Sequence, residues 1–523
     1  MTARRAPTAG ARLPPVAAVL LPLTAGALLP LSLAPFDLWP LGVLSLAGWF
    51  LCLHRFGGGA WSGWWFGVGK YGVGASWVYV SIHVYGNAPP LLAGLLVVIF
   101  VAGLALFPLL NGWLFRRLAS GAPWADAALF VALYGLFEWL LTWALTGFPW
   151  LFAGYAHLAT PLAGLAPVGG VLLLGTAVAI AAVMLVLGID AALAGRWRRV
   201  AVAAAIALLP WVAGAVLMPV GWVEPGARQT VALVQGDVPQ SVKWEPERRQ
   251  VIADTYLALT EPHWDADLII WPEAALTYLA HEAQPILARL DARGRASGTA
   301  LLLGLPAVER LPGDDFVFRN TAVVVGEGDG RYVKRRLVPF GEYVPLESLI
   351  RGAIEFFDLP MSRAGPGPWR QPLLRAGGQA LQMSICYEVV YPDLVRADAA
   401  AADVLVTISN DTWFGASIGP LQHLQMAQMR ALENGRWMLR GTNNGVTAVI
   451  DHRGRVRERL PQFQAGVLRG EYVAMTGTTP YTRLGHGPWL LLLGAVLAWC
   501  AGLRWLGRAA AAGADERQGP AGR

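Results

Sequence analysis

Long apolar segments at both ends of the chain constrain its fold more than any other feature. Eight of them approach or exceed the length that a helix needs to cross a bilayer, about 20 residues. They lie near residues 14–34, 38–53, 60–82, 90–115, 124–145, 162–188, 200–220 and 488–507. The mean hydropathy is +0.45 and 15% of residues are charged, whereas soluble proteins have about 25%. These values predict an integral membrane protein with eight spans, of which the short second one is the least regular.

Basic residues are distributed unevenly among the loops that join these segments. Three loops, 35–37, 83–89 and 147–160, contain no Lys or Arg, whereas arginines flank the alternate segment ends. The positive-inside rule therefore predicts cytoplasmic N- and C-termini and places residues 221–487 on the opposite side. The first apolar run has no convincing cleavage site, so we interpret it as an anchor. The flanking arginines are Arg4, Arg5, Arg12, Arg55, Arg116, Arg117, Arg196, Arg198, Arg199, Arg504, Arg508, Arg517 and Arg523.

The polar region between the seventh and eighth segments has the pattern of an α/β domain. Short strands are predicted at 230–235, 267–271, 299–305, 321–325, 381–385 and 404–409, and helices at 245–260, 284–293, 393–402 and 421–436. A hairpin turn is predicted at 451–454, which implies mixed sheets. We therefore expect three parts: a transmembrane domain of seven spans (1–220), the α/β domain (221–487), and an eighth span with a cytoplasmic tail (488–523).

Lysine is rare in this chain. Only Lys70, Lys243 and Lys334 occur among 41 basic residues, and a lysine where arginine would serve suggests a chemical role. Lys70 and Glu138 fall within the third and fifth apolar segments. Because charges in lipid are costly and usually paired, we expect a contact between these two with a structural role.

Cys386 is the strongest candidate nucleophile among the three cysteines. Cys52 and Cys500 lie in apolar segments, where a thiol is a packing group, whereas Cys386 ends an apolar run before a predicted helix. The positive end of a helix favours a thiolate. An isolated buried cysteine is more often a small hydrophobic residue, so this interpretation depends on its neighbours.

Two other polar residues occupy strand-end settings similar to that of Cys386: Glu273 in WPE, after a buried strand, and Lys334 in YVK, before LVPFGEYVP. Functional groups of open α/β sheets collect at strand ends, so these side chains are expected to converge. A carboxylate that accepts the thiol proton, a thiolate that attacks a carbonyl and an ammonium that stabilises the oxyanion form a complete set for acyl transfer. Taken singly, Glu273 fits a helix cap and Lys334 a solvated surface charge equally well.

The motifs WPE, YVK and SICYE, in this order, resemble the Glu–Lys–Cys triad of the nitrilase superfamily. The stretches LVPFGEYVP, SNDTWFG, SWVYVSIHVYGNAP and EWLLTWALTGFPWLFAGYA resemble the bacterial apolipoprotein N-acyltransferases, the membrane-bound members of that superfamily. The resemblance covers nearly the whole chain apart from its termini. It implies a nitrilase-like αββα sandwich domain inserted in a polytopic α-helical membrane domain of eight spans. It also implies the bacterial inner membrane, with the catalytic domain on the periplasmic side.

The activity implied by the resemblance is a ping-pong acyl transfer. Cys386 would take an acyl chain from a membrane phospholipid as a thioester and pass it to the N-terminal α-amino group of the diacylglyceryl-cysteine of an apolipoprotein. Glu273 would be the general base and Lys334 the oxyanion partner. Glu342 would orient the site, and Trp413 and Phe414 would flank the acyl entrance. Other positions that match family residues needed for activity are Trp244, Tyr387 and Glu388.

A lid is expected at this entrance, because exchange of lipid substrates requires an opening towards the bilayer. The apolar residues Phe356, Phe357, Leu359 and Met361, with Trp413 and Phe414, are candidates to enter the membrane interface and cover the entrance, and Gly365–Pro368 would permit motion. A role as ordinary core residues fits these side chains equally well.

Two other functions remain open on the sequence alone. One is a membrane-tethered amidase that hydrolyses small amides with the same triad. The other is a transporter or channel with a regulatory extramembrane domain, which the absence of a repeated hydropathy pattern disfavours.

Several partners and cofactors are not expected. The net charge of +6 comes from arginines beside apolar segments and not from one basic face, so nucleic acid is not predicted as a partner. The eight histidines are scattered without an HExxH motif, and neither a P-loop nor GxGxxG occurs, so we predict no metal and no cofactor. We expect the chain to act as a monomer.

Overall fold

The chain divides into two compact units, Met1–Ser76 with Gly94–Val220 and His486–Arg523, and Trp77–Ala93 with Gly221–Gly485. The computed structural model describes residues 13–311, 313, 316–343 and 364–515. The candidate lid residues Phe356, Phe357, Leu359 and Met361 therefore lie outside the described residues, as do the terminal arginines at 4, 5, 12, 517 and 523.

The first unit is helical, and most of its helices correspond to predicted spans. Within the part of the chain that the structure describes, five helical segments are long and apolar enough to cross a membrane: Pro15–Ser32, Pro90–Leu118, Pro161–Leu193, Trp197–Leu217 and Gly487–Leu506. They match the predicted first, fourth, sixth, seventh and eighth spans. The α-helices described in this unit are Pro15–Leu28, Pro40–His54, Ala60–Gly74, Pro90–Leu104, Leu106–Leu118, Pro123–Leu140, Ala166–Leu193, Trp197–Leu217 and Gly487–Asp515.

The remaining three predicted spans are shorter or less apolar. Pro40–His54 is apolar but has 15 residues, and the fifth span is helix Pro123–Leu140. The third differs most, because the helix ends at Gly74 instead of continuing to residue 82. Its many glycines allow close packing on helix Pro15–Leu28, since a Cβ at Gly69 would lie only 2.0 Å from the Leu23 carbonyl oxygen.

Lys70 and Glu138 are both buried and line the same small cavity. No ion pair joins them among the described residues. Glu138 Oε1 instead accepts hydrogen bonds from the Tyr134 hydroxyl at 2.5 Å and from the Ala153 N–H at 3.2 Å. The predicted direct contact is therefore wrong, although the two charges share one polar cavity in an apolar bundle.

The second unit contains two mixed sheets. The strands are β1 Val223–Gln235, β2 Leu268–Ile270, β3 Ala300–Arg310, β4 Phe316–Gly326, β5 Gly328–Asp329, β6 Arg331–Val333, β7 Leu374–Ala376, β8 Gln379–Ile385, β9 Val404–Ser409, β10 Met438–Thr442, β11 Ala448–Ile450, β12 Val456–Arg459 and β13 Gly466–Gly477. One sheet has the order β13-β1-β2-β3-β4-β6 and the other β12-β11-β10-β9-β8-β7-β5. The central strands of each sheet run parallel and the outer ones antiparallel, so both sheets are mixed, which confirms that prediction.

Apolar side chains from both sheets form one core, in which Ile270 and Leu302 of the first sheet cluster with Met383 and Val406 of the second. The alternate residues of the first sheet face outward and pack on two helices, Arg249–Thr260 and Gln284–Ser297. Helices Pro392–Ala399 and Gly419–Asn434 contact strands β8 and β10 of the second sheet. The layers are therefore helix, sheet, sheet and helix, which is the predicted αββα sandwich.

Candidate active site

Cys386 occupies a strained turn at the end of strand β8. Its φ is +53°, a left-handed conformation that costs a non-glycine residue about 1–3 kcal/mol. Two buried side chains hold this turn. Glu388 Oε2 accepts the Ile385 N–H at 2.8 Å, and His423 Nε2 donates to the Cys386 carbonyl oxygen at 3.2 Å. The surrounding structure therefore fixes where the thiol is presented.

Glu273 follows strand β2 and is held at both carboxylate oxygens. Oε2 accepts the Asn410 N–H at 2.8 Å, and Oε1 accepts the Asn320 side-chain amide at 2.7 Å. Strand β3 passes unusually close, since a Cβ at Gly304 would lie 2.7 Å from the Pro272 carbonyl oxygen. The carboxylate is thus positioned by three neighbouring segments and not by a helix that it caps.

Lys334 follows strand β6, and its ammonium lies between two carboxylates. Nζ is 2.8 Å from Glu342 Oε1 and 3.4 Å from Glu273 Oε1. The residue is 1% exposed, so it is not a solvated surface charge. Burial lowers the pKa of Lys334, but Glu342 and Glu273 raise that pKa by more, so the net direction is upward and the ammonium stays charged.

Glu342 is fixed in turn by the loop that carries it, because its Oε2 accepts the Val338 N–H at 2.8 Å. The Asn320 side-chain amide lies 3.3 Å from Glu342 Oε1, so it bridges the two carboxylates that flank the lysine. Asn320 was not predicted, because an asparagine within strand β4 has no distinguishing sequence pattern.

Burial raises the pKa of the Cys386 thiol most, the Glu273 charge raises it further, and Lys334 lowers it by less. The net direction of the shift is therefore upward. A base must remove the proton as the thiol reacts, and Glu273 is the carboxylate whose charge acts most strongly on it.

A buried polar network supports the Cys386 turn from the second sheet. Asp411 accepts hydrogen bonds from Ser409 at 2.5 Å and from Arg440 at 2.6 Å, and His423 Nδ1 lies 3.1 Å from both Asp411 and Arg440. Burial and then Arg440 lower the pKa of His423, whereas Asp411 raises it. No sequence pattern distinguishes His423, because it is one of many polar residues on helix Gly419–Asn434.

Lys243, which directly precedes Trp244 in the chain, contacts the backbone of Glu273. Lys243 is 1% exposed and its Nζ donates to the Glu273 carbonyl oxygen at 3.2 Å. Burial lowers the pKa of Lys243 to about 8, against the upward effect of the Glu273 charge. Trp244 is half-buried, and its indole N–H has no hydrogen-bond partner among the described residues. This N–H therefore needs a hydrogen-bond acceptor that the described residues do not supply.

Glu388 and Tyr387 link the nucleophile to the lysine segment. Besides Ile385, Glu388 accepts the backbone N–H groups of Arg335 at 2.6 Å and Arg336 at 3.1 Å, and the Tyr332 hydroxyl at 2.9 Å. Tyr387 is buried and packs edge-on against Tyr391, with ring centroids 5.3 Å apart. Glu388 therefore ties the segment after Lys334 to the strand end before Cys386.

Trp413 and Phe414 lie on a short turn that packs on the Trp77–Ala93 segment of the same unit. Ser81 donates to the Trp413 carbonyl oxygen at 2.7 Å, and the Phe414 ring lies 4.7 Å from that of Trp77. Both residues are half-buried. Each residue therefore has a contact with the Trp77–Ala93 segment, and neither is fully exposed.

Two family models match the chain. The one described as apolipoprotein N-acyltransferase N-terminal domain matches residues 25–184, and the one described as carbon-nitrogen hydrolase matches residues 230–481. The second match covers the αββα sandwich and every residue of the candidate site. A CN-hydrolase superfamily protein of Xanthomonas campestris is 20% identical, covers 51% of this chain and 97% of its own, and has a TM-score of 0.36.

Curated relatives are similar over almost the full length. The apolipoprotein N-acyltransferase of Pseudomonas aeruginosa is 49% identical over 473 residues, covering 90% of this chain and 92% of the relative. That of Azotobacter vinelandii is 50% identical over 496 residues, covering 93% and 95%. That of Vibrio cholerae is 40% identical over 480 residues, covering 88% and 92%. The similarity includes both the helical part and the sandwich.

Proposed function

The chain belongs to the apolipoprotein N-acyltransferases, and from this premise we propose how its site performs the reaction. The protein transfers a fatty acyl chain from a membrane phospholipid, through a cysteine thioester, to the α-amino group of the diacylglyceryl-cysteine of an apolipoprotein. The observation that carries the proposal is the position of Lys334 between Glu273 and Glu342, with Glu388 tying its segment to the Cys386 turn.

In the first half-reaction, the Glu273 carboxylate takes the Cys386 proton as sulfur attacks an ester carbonyl of the phospholipid. The Lys334 ammonium stabilises the oxyanion that forms, and Glu342 holds that ammonium in place. The carbon–oxygen bond to glycerol then breaks, and the leaving oxygen takes the proton from Glu273. The products are a lysophospholipid and an acyl thioester on Cys386.

In the second half-reaction, the α-amino group of the lipoprotein cysteine attacks the thioester carbonyl. Glu273 accepts a proton from the amine, the carbon–sulfur bond breaks, and Glu273 returns the proton to the Cys386 sulfur. Lys334 stabilises the same oxyanion position again. We propose that the Trp244 indole N–H, which is buried without a partner among the described residues, donates a hydrogen bond to one of the two substrates.

We also propose the arrangement in the membrane. Residues 1–220 and 488–523 form an eight-span domain of the inner membrane with cytoplasmic termini, and residues 221–487 form the catalytic domain on the periplasmic side. The arginines at alternate segment ends support this orientation. A fatty chain transfers from lipid to water at a cost of about 0.8 kcal/mol per CH₂, so a catalytic domain attached to the bilayer avoids extracting the chain. We propose that the enzyme acts as a monomer.

The test is a transfer assay with purified protein in detergent, a phospholipid donor and a diacylated lipopeptide. The wild type is expected to yield triacylated lipopeptide and lysophospholipid in equal amounts, and Cys386→Ala to yield neither. Release of free fatty acid without lipopeptide acylation, together with hydrolysis of small amides, would favour the amidase alternative instead. Cys52→Ala is the matched control, because that thiol lies in a membrane helix.

A further inference from the structure

Arg335 and Arg336 are adjacent arginines with opposite surroundings. The Arg335 guanidinium has three polar neighbours: Nε donates to the Tyr332 hydroxyl at 2.9 Å, Nη1 donates to the Trp369 carbonyl oxygen at 2.9 Å, and Nη2 lies 2.8 Å from Asp398. Arg336 makes no side-chain hydrogen bond or ion pair among the residues that the structure describes, and its Nε is buried without a partner. A desolvated donor without an acceptor costs free energy.

Two aromatic rings hold the Arg336 guanidinium in place. Its central carbon lies 5.6 Å from the ring centroid of Trp369 and 5.2 Å from that of Tyr391. Such contacts favour the cation over the ring faces and leave its N–H groups free to bind in their own plane. The side chain is half-buried, so it is preorganised and still accessible, as an anion-binding group must be.

This cation is also connected to the catalytic turn. Its backbone N–H donates to Glu388 at 3.1 Å, and the other oxygen of Glu388 binds the N–H of Ile385, directly before Cys386. The ring beneath it, Tyr391, packs against Tyr387, the residue after the nucleophile. Arg336 therefore contacts Tyr391, and Tyr391 contacts the residue that directly follows Cys386.

We propose that Arg336 binds the phosphate of the acyl donor's head group. The inference rests on the proposed function, in which a glycerophospholipid presents its ester carbonyl to Cys386. The phosphodiester of that donor is joined to the attacked ester through the glycerol backbone, so an anion lies close to the reacting carbonyl. Guanidinium groups bind phosphate oxygens in pairs, which fixes orientation as well as adding affinity.

Arg336 acts in only one of the two half-reactions. The diacylglyceryl-cysteine acceptor carries no phosphate, so Arg336 serves thioester formation from phospholipid and is not needed for transfer from the thioester. Arg336 also acts on only one kind of acyl donor, because a neutral activated ester such as a p-nitrophenyl fatty ester has no phosphate for it to bind. Arg336 is thus a residue for donor specificity and not part of the proton transfer.

The experiment measures the rate of acyl loading of Cys386 by intact mass in detergent, with phospholipid or with a p-nitrophenyl fatty ester as donor. Loading of Arg336→Met by phospholipid is expected to be about ten- to hundred-fold slower than that of the wild type, since a charge-assisted pair is lost. Loading by the neutral ester, and the later transfer to lipopeptide, are expected to stay within a factor of two. Arg336→Lys keeps the charge without the paired geometry and is expected to lie between.

Arg370→Met is the matched control, because Arg370 is exposed beside Trp369 and has no partner among the described residues. Its loading by phospholipid should equal that of the wild type. The inference would be overturned if Arg336→Met slowed acyl loading equally from both donors, or if phospholipid loaded this variant at the normal rate. Failure of the wild type to form any thioester would instead overturn the proposed function, so the two failures are distinguishable.

Discussion

The two units of this protein bury charge in different ways. In the helical unit, Lys70 and Glu138 are buried in an apolar bundle without a direct ion pair between them. In the sandwich unit, Lys334 lies within 3.4 Å of two carboxylates, and Asp411 binds Arg440. The helical charges share one cavity, whereas the sandwich charges form connected networks that end at Cys386.

This difference indicates which buried charges can take part in catalysis. A buried charge with several fixed partners is oriented, and an oriented charge can stabilise a transition state without reorganisation. Two buried charges that share a cavity without a direct ion pair chiefly affect the stability of the fold. We therefore expect substitutions in the sandwich networks to change rates and those in the helical cavity to change unfolding.

Replacement of Glu273 by Gln should have the largest effect. Because burial and neighbouring charge raise the pKa of the Cys386 thiol, loss of the base is expected to slow acyl loading by about 10²–10⁴-fold. The residual rate should rise about tenfold per pH unit between pH 6 and 9, since it depends on the thiolate fraction. Single-turnover loading across pH tests this, with Glu282→Gln as an exposed control. A pH-independent residual rate would show that Glu273 is not the base.

The helical cavity should behave differently. Glu138→Gln removes the negative charge near Lys70 and is expected to lower the free energy of unfolding by about 1–3 kcal/mol, while turnover per folded molecule stays unchanged. Lys70→Met combined with Glu138→Gln should be less destabilised than the sum of the single variants, because neither charge is then left alone. Thermal unfolding in detergent measures both effects. Folded Glu138→Gln protein that has lost activity would show that the charges of the helical unit also act in catalysis.

Asp411→Asn tests the support of the Cys386 turn through the pH dependence of stability. Burial raises the pKa of Asp411, but Arg440 and His423 lower that pKa by more, so the folded value lies below the unfolded one. A lowered folded pKa gives stability that is present above the unfolded pKa, about 3.9, and is lost as pH falls. The variant's deficit in melting temperature should therefore be largest at pH 5 and shrink towards pH 3. A constant deficit would contradict the assigned ionisation.

Trp244→Phe should have the smallest effect. The substitution removes an indole N–H that has no partner among the described residues, so stability should change by less than about 0.5 kcal/mol. If a substrate atom accepts this hydrogen bond, KM for one substrate should rise about three- to tenfold. Steady-state kinetics with each substrate varied in turn identify which one. A loss of stability in place of a change in KM would indicate a structural role.

Much of the sandwich follows from local sequence patterns. The strands 230–235, 404–409 and 381–385 are apolar, buried on both faces and bounded by turns, and each is present in the structure. Strand β10 was not predicted, because Met438–Thr442 contains Arg440, whose charge is acceptable in a buried strand only through its contact with Asp411. That contact joins residues far apart in the chain, so no local pattern predicts it.

The site shows the same limit. Glu273, Lys334 and Cys386 stand out because each occupies a strand-end setting, and a sheet brings strand ends together. Asn320, Lys243 and His423 do not stand out in the sequence, because their hydrogen bonds to Glu273 and Cys386 join residues far apart in the chain. In the helical unit, hydropathy predicted the long helices, but not the end of the third at Gly74, where the following residues 77–93 pack with the sandwich unit instead.

The most direct test of a thioester on Cys386 is the intact mass of the purified protein after exposure to phospholipid and again after addition of a diacylated lipopeptide. The wild type is expected to gain one acyl group, peptide mapping to locate it on Cys386, and the lipopeptide to remove it. Turnover of lipopeptide by a protein that never carries the acyl group, or an acyl group on another residue, would show that the reaction does not pass through Cys386.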